Sequence, residues 1–185
     1  MTPPNNANRT TWQRVSRIAA RAVIGISITC LVAMWIYAFG FASKVSANKI
    51  DDQVWTQRAE AICKQAMEKR LELADLRQIS DAGATALSER ADLVDKATDT
   101  LEDAITQISA VSPSDAKGKA IVPLWIIDYK QLIQDRRDYA ALLRTGVNEP
   151  FSESMFEGLP ISEKISTFAA DNRMTSCKIP MDLSI

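Results

Sequence analysis

A chain of 185 residues with 46% hydrophobic content has room for one folded domain plus an appendage, and it is too apolar for a disordered tail. Histidine is absent, which removes the commonest general base, the commonest metal ligand and the usual physiological pH switch. The formal net charge of -1 hides a segregation: five of the 22 basic residues and none of the 23 acidic ones precede Asn48, leaving 17 basic against 23 acidic beyond it. A surface of that sign repels phosphate backbones and excludes nucleic acid as its main partner.

Residues 1–21, opening "MTPPNNANRTTWQRVSR", are polar, carry a Pro pair and offer no core. They read as a disordered, basic cytoplasmic arm. The run over 22–42, "AVIGISITCLVAMWIYAFGFA", holds no charge over the length a helix needs to cross a hydrocarbon core. Trp35, Tyr37 and Phe39 crowd its second half, where an aromatic belt sits at one interface, and Arg14, Arg17 and Arg21 precede it. The positive-inside rule then expects a single-pass helix in the cytoplasmic membrane, with its N-terminal side inside the cell and the rest outside. A cleaved signal peptide, with "VSA" at 45–47 as the site, is the competing reading, although the apolar core is longer than such peptides use. Cys30 reads as a small lipid-compatible side chain rather than a lipid attachment point.

After a linker over 43–50, periodicity turns helical. The stretch from Asp51 places Ala59, Ile62, Cys63, Ala66, Arg70 and Leu73 along one side, with two aspartates suited to a helix N-terminus. Arg70 interrupts that stripe, so its stem is expected at the edge of the core. Leu87, Ala91, Val94, Thr98, Leu101, Ile105 and Ile108 then alternate steps of four and three, the seam of a helix packed in a left-handed bundle. Asp92, Asp95, Asp99, Glu102 and Asp103 fall on its other faces as a solvated surface. "VSPSDAKG" breaks the chain, and a third helix is expected to enter near Pro123 and run to Gly146, with Trp125, Tyr129, Leu132, Arg136, Tyr139 and Leu143 on one side. A long loop and a short helix starting near Ser162 complete the pattern. No strand alternation is visible. The expected fold is all-α: one N-terminal transmembrane helix followed by an antiparallel three- to four-helix bundle over 51–185.

Cys63 and Cys177 are the two cysteines outside the apolar run. In an extracytoplasmic setting they read as a disulfide stapling the C-terminal segment to the first bundle helix; separate thiols are the alternative. Two further places stand out. The loop residues Glu149, Phe151, Glu153, Met155, Phe156 and Glu157 interleave acids with large apolar side chains, which suits either a partner-binding patch or a cap on the bundle. Trp125, Tyr129 and Arg136 are a candidate pocket, because a charged residue on an inner stripe is out of place; Asp128, Asp135, Arg137 and Asp138 around it read as ion pairs along a solvated face. No catalytic residue, metal site or cofactor is implied.

The stretches "ERADLVDKATDTLE", "SDAKGKAIVPLWIIDYKQLIQDRRDYAALLRTGVNEPF" and "GLPISEKISTFAADNRMTSC" resemble a family of uncharacterised actinobacterial single-pass membrane proteins with an extracytoplasmic helical domain. The resemblance covers most of the chain beyond residue 50 and includes both outer cysteines. It implies an envelope setting and no activity. The functional expectation is a membrane-anchored interaction module with an envelope protein partner, of unspecified oligomeric state. The rival is a sensory or small-ligand-binding helical domain that works with a signalling partner. A carboxylate-based hydrolase is the weakest reading, because no pair of acids stands apart from the solvated ones.

Overall fold

The computed structural model describes residues 6–41, 46–73, 85–180 and Asp182, with side chains from Ala19 onward. It divides into two units, residues 1–45 and 46–185.

The first unit is one helix, α1 (Asn6–Ile36), continued by a wider π-helical turn over Tyr37–Phe41. The stretch Ala19–Phe41, 23 residues, is long and apolar enough to cross a membrane. Its side chains are exposed throughout, Cys30 included. The helix starts at Asn6 rather than near Ala22, so the expected disordered arm is helical over its described part. Neither Gly nor Pro occurs between Asn6 and Ile24, so nothing in the sequence stops a helix there.

In the second unit, α2 (Gln53–Glu72), α3 (Ala86–Ser109) and α4 (Ala116–Arg144) form an up-down-up bundle, and α5 (Ile161–Asp171) closes one side. Hydrogen bonds fix the directions. Trp55 and Arg58 of α2 donate to the carbonyls of Val111 and Gln107 near the far end of α3, while Arg70 reaches Thr100. Arg136 and Arg144 of α4 meet Thr98 and Asp92 of α3 in the same reversed order. Thus α2 and α4 run parallel to each other and antiparallel to α3. The seam read from α3 faces inward: Ala91, Val94, Thr98, Leu101, Ile105 and Ile108 are buried. At the centre Trp125 meets Trp55 and Tyr129 edge-on, with ring centroids 6.4 and 5.0 Å apart, and lies tilted against Phe168 at 5.2 Å.

The parallel N-termini of α2 and α4 share one capping system. Asp52 accepts from the Trp55 backbone N–H at 2.9 Å, and Asp115 accepts from that of Gly118 at 2.7 Å. The second oxygen of Asp52 takes the Ser114 backbone N–H and hydroxyl, and that of Asp115 takes the Asp52 N–H. Here α4 begins seven residues before Pro123, which lies inside the helix instead of opening it. The Asp115 cap starts the helix early enough that the turn preceding the proline is already formed.

Two departures fall in the long loop. Met155–Phe156 (β1) and Leu159–Pro160 (β2) pair antiparallel, joined by Glu157 at φ 51° and Gly158 at φ 82°. Positive φ at both central residues is the hairpin turn whose twist matches the flanking strands. It adds two short strands to a fold that remains helical. Ser162 is not the cap of α5, whose N-cap position is Pro160; the Ser162 N–H and hydroxyl are taken instead by the Glu153 carboxylate.

Candidate functional site

Arg136 is the largest fully buried side chain, at 1% exposure. A buried guanidinium demands partners for its fork of donors. Its Nε donates to Thr98 Oγ1 at 3.0 Å, and its two Nη atoms grip both carboxylate oxygens of Asp182 at 2.9 and 2.8 Å. Asp182 arrives on the C-terminal segment, and its side chain is 32% exposed. Arg70, also buried, approaches Thr100 Oγ1 at 3.4 Å. Burial lowers the Arg70 pKa, opposed by the fields of Tyr129 and Asp182 and reinforced by that of Arg136.

Beyond α5 the chain is tied down from Ser176 to Ile179. Cys177, in a 3₁₀ turn over Thr175–Cys177, is joined to Cys63 by a disulfide. The Tyr129 hydroxyl donates to the Cys177 carbonyl at 2.6 Å, and burial pushes the phenol pKa well above its usual range, so it stays a neutral donor. Glu60 accepts from the Ser176 N–H and hydroxyl, and the Ile179 N–H donates to Ser166. Of the three proposed pocket residues, Trp125 is packed among aromatics and donates to the Ile165 carbonyl at 3.2 Å, Tyr129 is tied to Cys177, and Arg136 is tied to Asp182. A cavity of about 10 Å³ lies between Cys63, Arg70, Leu101, Ile105, Tyr129 and Ser176, room for about one water. Of the three pocket residues, Tyr129 lines this small cavity beside the staple and the other two do not. Among the described residues no group of three or more acids and cysteines could hold a metal.

The loop residues separate into two sets. Phe151 is half-buried and packs edge-on against Tyr139, with centroids 5.5 Å apart, so it caps the smaller end of the core. Glu153 holds α5, and Glu149 is exposed. Met155, Phe156 and Leu159 remain exposed at 61%, 46% and 55%. The Lys164 ammonium lies 3.8 Å from the centre of the Phe156 ring and is paired with Asp128 of α4 at 2.9 Å. Asp135 accepts from the Ser154 N–H and hydroxyl, fixing the hairpin to α4. Leu124 and Ile127, both exposed, stand on the same flank of α4 as Asp128 and Asp135 by helical spacing. The hairpin and this flank therefore present large apolar side chains on a fixed scaffold, edged by Glu157, Lys164 and Gln131.

The acidic face of α3 is less free than its pattern implied. Arg137 reaches Asp95, Asp99 and Glu102, and Arg144 reaches Asp92 and Asp95. Burial works against ionisation of both Asp95 and Arg137, but these bonds lower the Asp95 pKa and raise that of Arg137. Of the charges expected to pair along α4, Arg137 thus reaches across to α3 and Asp128 pairs with Lys164 of α5.

Comparison with protein-family models, curated proteins and solved structures returns no match. The site rests on its own geometry. Sequence reasoning missed Asp182, the partner that explains Arg136, because a lone acid beyond the last helix carries no periodic signal.

Proposed function

We propose that this protein is a membrane-anchored interaction module of the cell envelope. In this reading α1 crosses the cytoplasmic membrane with its N-terminal side inside the cell, and the bundle stands on the outer side as in the actinobacterial family that the sequence resembles. The basic residues ahead of the apolar run support the orientation. The Cys63–Cys177 disulfide supports an oxidising compartment.

The observation that carries the reading is the surface formed by Phe156 and its cross-strand partner Leu159 with Leu124 and Ile127. Large apolar groups are held there in the open while the aromatics of the interior are packed together. Such a rigid apolar surface with a polar edge suits a protein partner. An ordered hairpin also loses little conformational freedom on binding.

The test is photo-crosslinking in intact cells, with a photoreactive residue at Phe156 or at Ile127 and a control at Glu102 on the ion-paired face of α3. The expected result is one discrete adduct from the first two positions and none from the control. Equal labelling at all three, or no adduct at Phe156 and Ile127, would remove this surface as the interface.

A further inference from the structure

Two buried arginines stand at one level of the bundle. In the parallel helices α2 and α4, Arg70 lies seven residues beyond Cys63, and Arg136 lies seven beyond Tyr129. Cys63 and Tyr129 are themselves level, because both hold Cys177, one through its sulfur and the other through its carbonyl. Two further turns along each helix therefore bring Arg70 and Arg136 to a common height. Both then lean on the same turn of α3, at Thr100 and Thr98. Between this level and the staple lies the small cavity lined by Arg70 and Tyr129.

A bundle this small has no structural need for two buried cations at one height, since apolar residues fill such positions at equal or lower cost. What the arrangement does supply is a receptor for a carboxylate. The two Nη atoms of Arg136 grip one carboxylate in bidentate geometry, and that carboxylate belongs to Asp182, a partly exposed residue outside the helices. We propose that Arg136 and Arg70 form a binding site for a small dicarboxylate, which Asp182 occupies in cis. One carboxylate of the ligand takes the place of Asp182 on Arg136, and the other extends past the vacated side chain toward Arg70 and the cavity. The disulfide anchors the chain five residues before Asp182, so exchange of that one carboxylate on Arg136 leaves the staple intact. This site is independent of the hairpin surface.

The probe is succinate, titrated calorimetrically into the full chain in detergent against sodium chloride of equal ionic strength. Wild type is expected to bind weakly, because Asp182 competes. Asp182→Asn, which leaves the site without its internal anion, is expected to bind at least tenfold more tightly, and adding Arg70→Gln should abolish that gain. A folded Asp182→Asn chain that binds succinate no better than wild type overturns the proposal. So does a gain that survives Arg70→Gln, or an equal response to inorganic phosphate. If Asp182→Asn does not fold unaided, succinate present during refolding should restore its helical circular dichroism where chloride does not. Failure of that rescue overturns the proposal as well.

Discussion

Asp52 shows how much one side chain can hold when it sits at a junction. Its carboxylate caps α2, receives Ser114 from the turn before α4, and thereby joins two helix N-termini. The Ser114 backbone N–H, then the Trp55 N–H, then the Ser114 hydroxyl hold its pKa down from 3.8 to about 2. Because the folded value lies below the unfolded one, this stabilisation is complete above about pH 4 and disappears as the pH falls through about 2. Asp52→Asn keeps an oxygen for the cap but removes the titration. The variant is expected to melt below wild type at neutral pH and to converge on it between about pH 4 and pH 2. Thermal melts across that range decide the matter: curves that stay parallel would show that the acid sensitivity lies elsewhere. Arg136 illustrates the converse case. Its oddness on an inner stripe is visible from residue type alone, while its partner Asp182, 46 positions away, is visible only in three dimensions.

At the scale of the element, α4 carries two residues that helix propensity disfavours, Gly118 and Pro123, and Gly118 has a positional reason. Gly118 is buried in the first turn, where its N–H meets the Asp115 cap and its Cα faces Pro113. A Cβ built there would stand 2.6 Å from Pro113 Cβ and 2.5 Å from Asp115 Oδ2, the oxygen of the capping carboxylate that accepts from the Asp52 N–H. Alanine would gain about 1 kcal/mol of intrinsic helix propensity at an unconstrained interior position. Against that stand a rigid proline ring and a displaced cap, with overpacking at about 1–3 kcal/mol and cap loss at about 1 kcal/mol. Gly118→Ala is therefore expected to destabilise the bundle by about 1–2 kcal/mol net, measured by urea unfolding. A stabilised variant would mean that the 112–115 turn yields easily.

The same elements show what a sequence can and cannot reveal. The α3 seam was legible because every inward position obeys one period. The start of α4 was not, because Ser-Asp-Ala-Lys-Gly reads as turn chemistry and Pro123 reads as a helix opening. The decisive fact is a side-chain cap spanning three residues. The hairpin escaped notice because Glu157 occupies a positive-φ position that Asn, Asp or Gly would ordinarily advertise. The exposure of Phe156 beside the half-burial of Phe151 depends on the Lys164–Asp128 and Ser154–Asp135 contacts, all of which join residues far apart in the chain.

For the molecule as a whole, the Cys63–Cys177 bond closes a loop of 114 residues and so ties the first bundle helix to the segment beyond the last. Constraining an unfolded loop of that length contributes about 4–5 kcal/mol in the chain-entropy model. For a domain of this size that is a large part of a typical total of about 5–15 kcal/mol. The segment has other anchors, however: Glu60 on Ser176, Tyr129 on the Cys177 carbonyl, and Arg136 on Asp182. These belong to the folded state, so they persist when the covalent bond is removed and do not replace what it takes from the unfolded ensemble. A Cys63→Ser/Cys177→Ser chain is thus expected to keep its helical content and its buried Trp55 and Trp125 fluorescence while losing about 4 kcal/mol in urea unfolding. Trypsin distinguishes where the loss is felt. Arg173 and Lys178 are exposed on either side of the staple, and early cleavage there, ahead of global unfolding, would mean that the segment opens locally once unbonded. Cleavage that tracks global unfolding would mean that the three remaining anchors hold it to the bundle. A loss under about 1 kcal/mol would instead show that the unfolded chain already keeps these ends together, and that the staple's main effect is on the segment bearing Asp182.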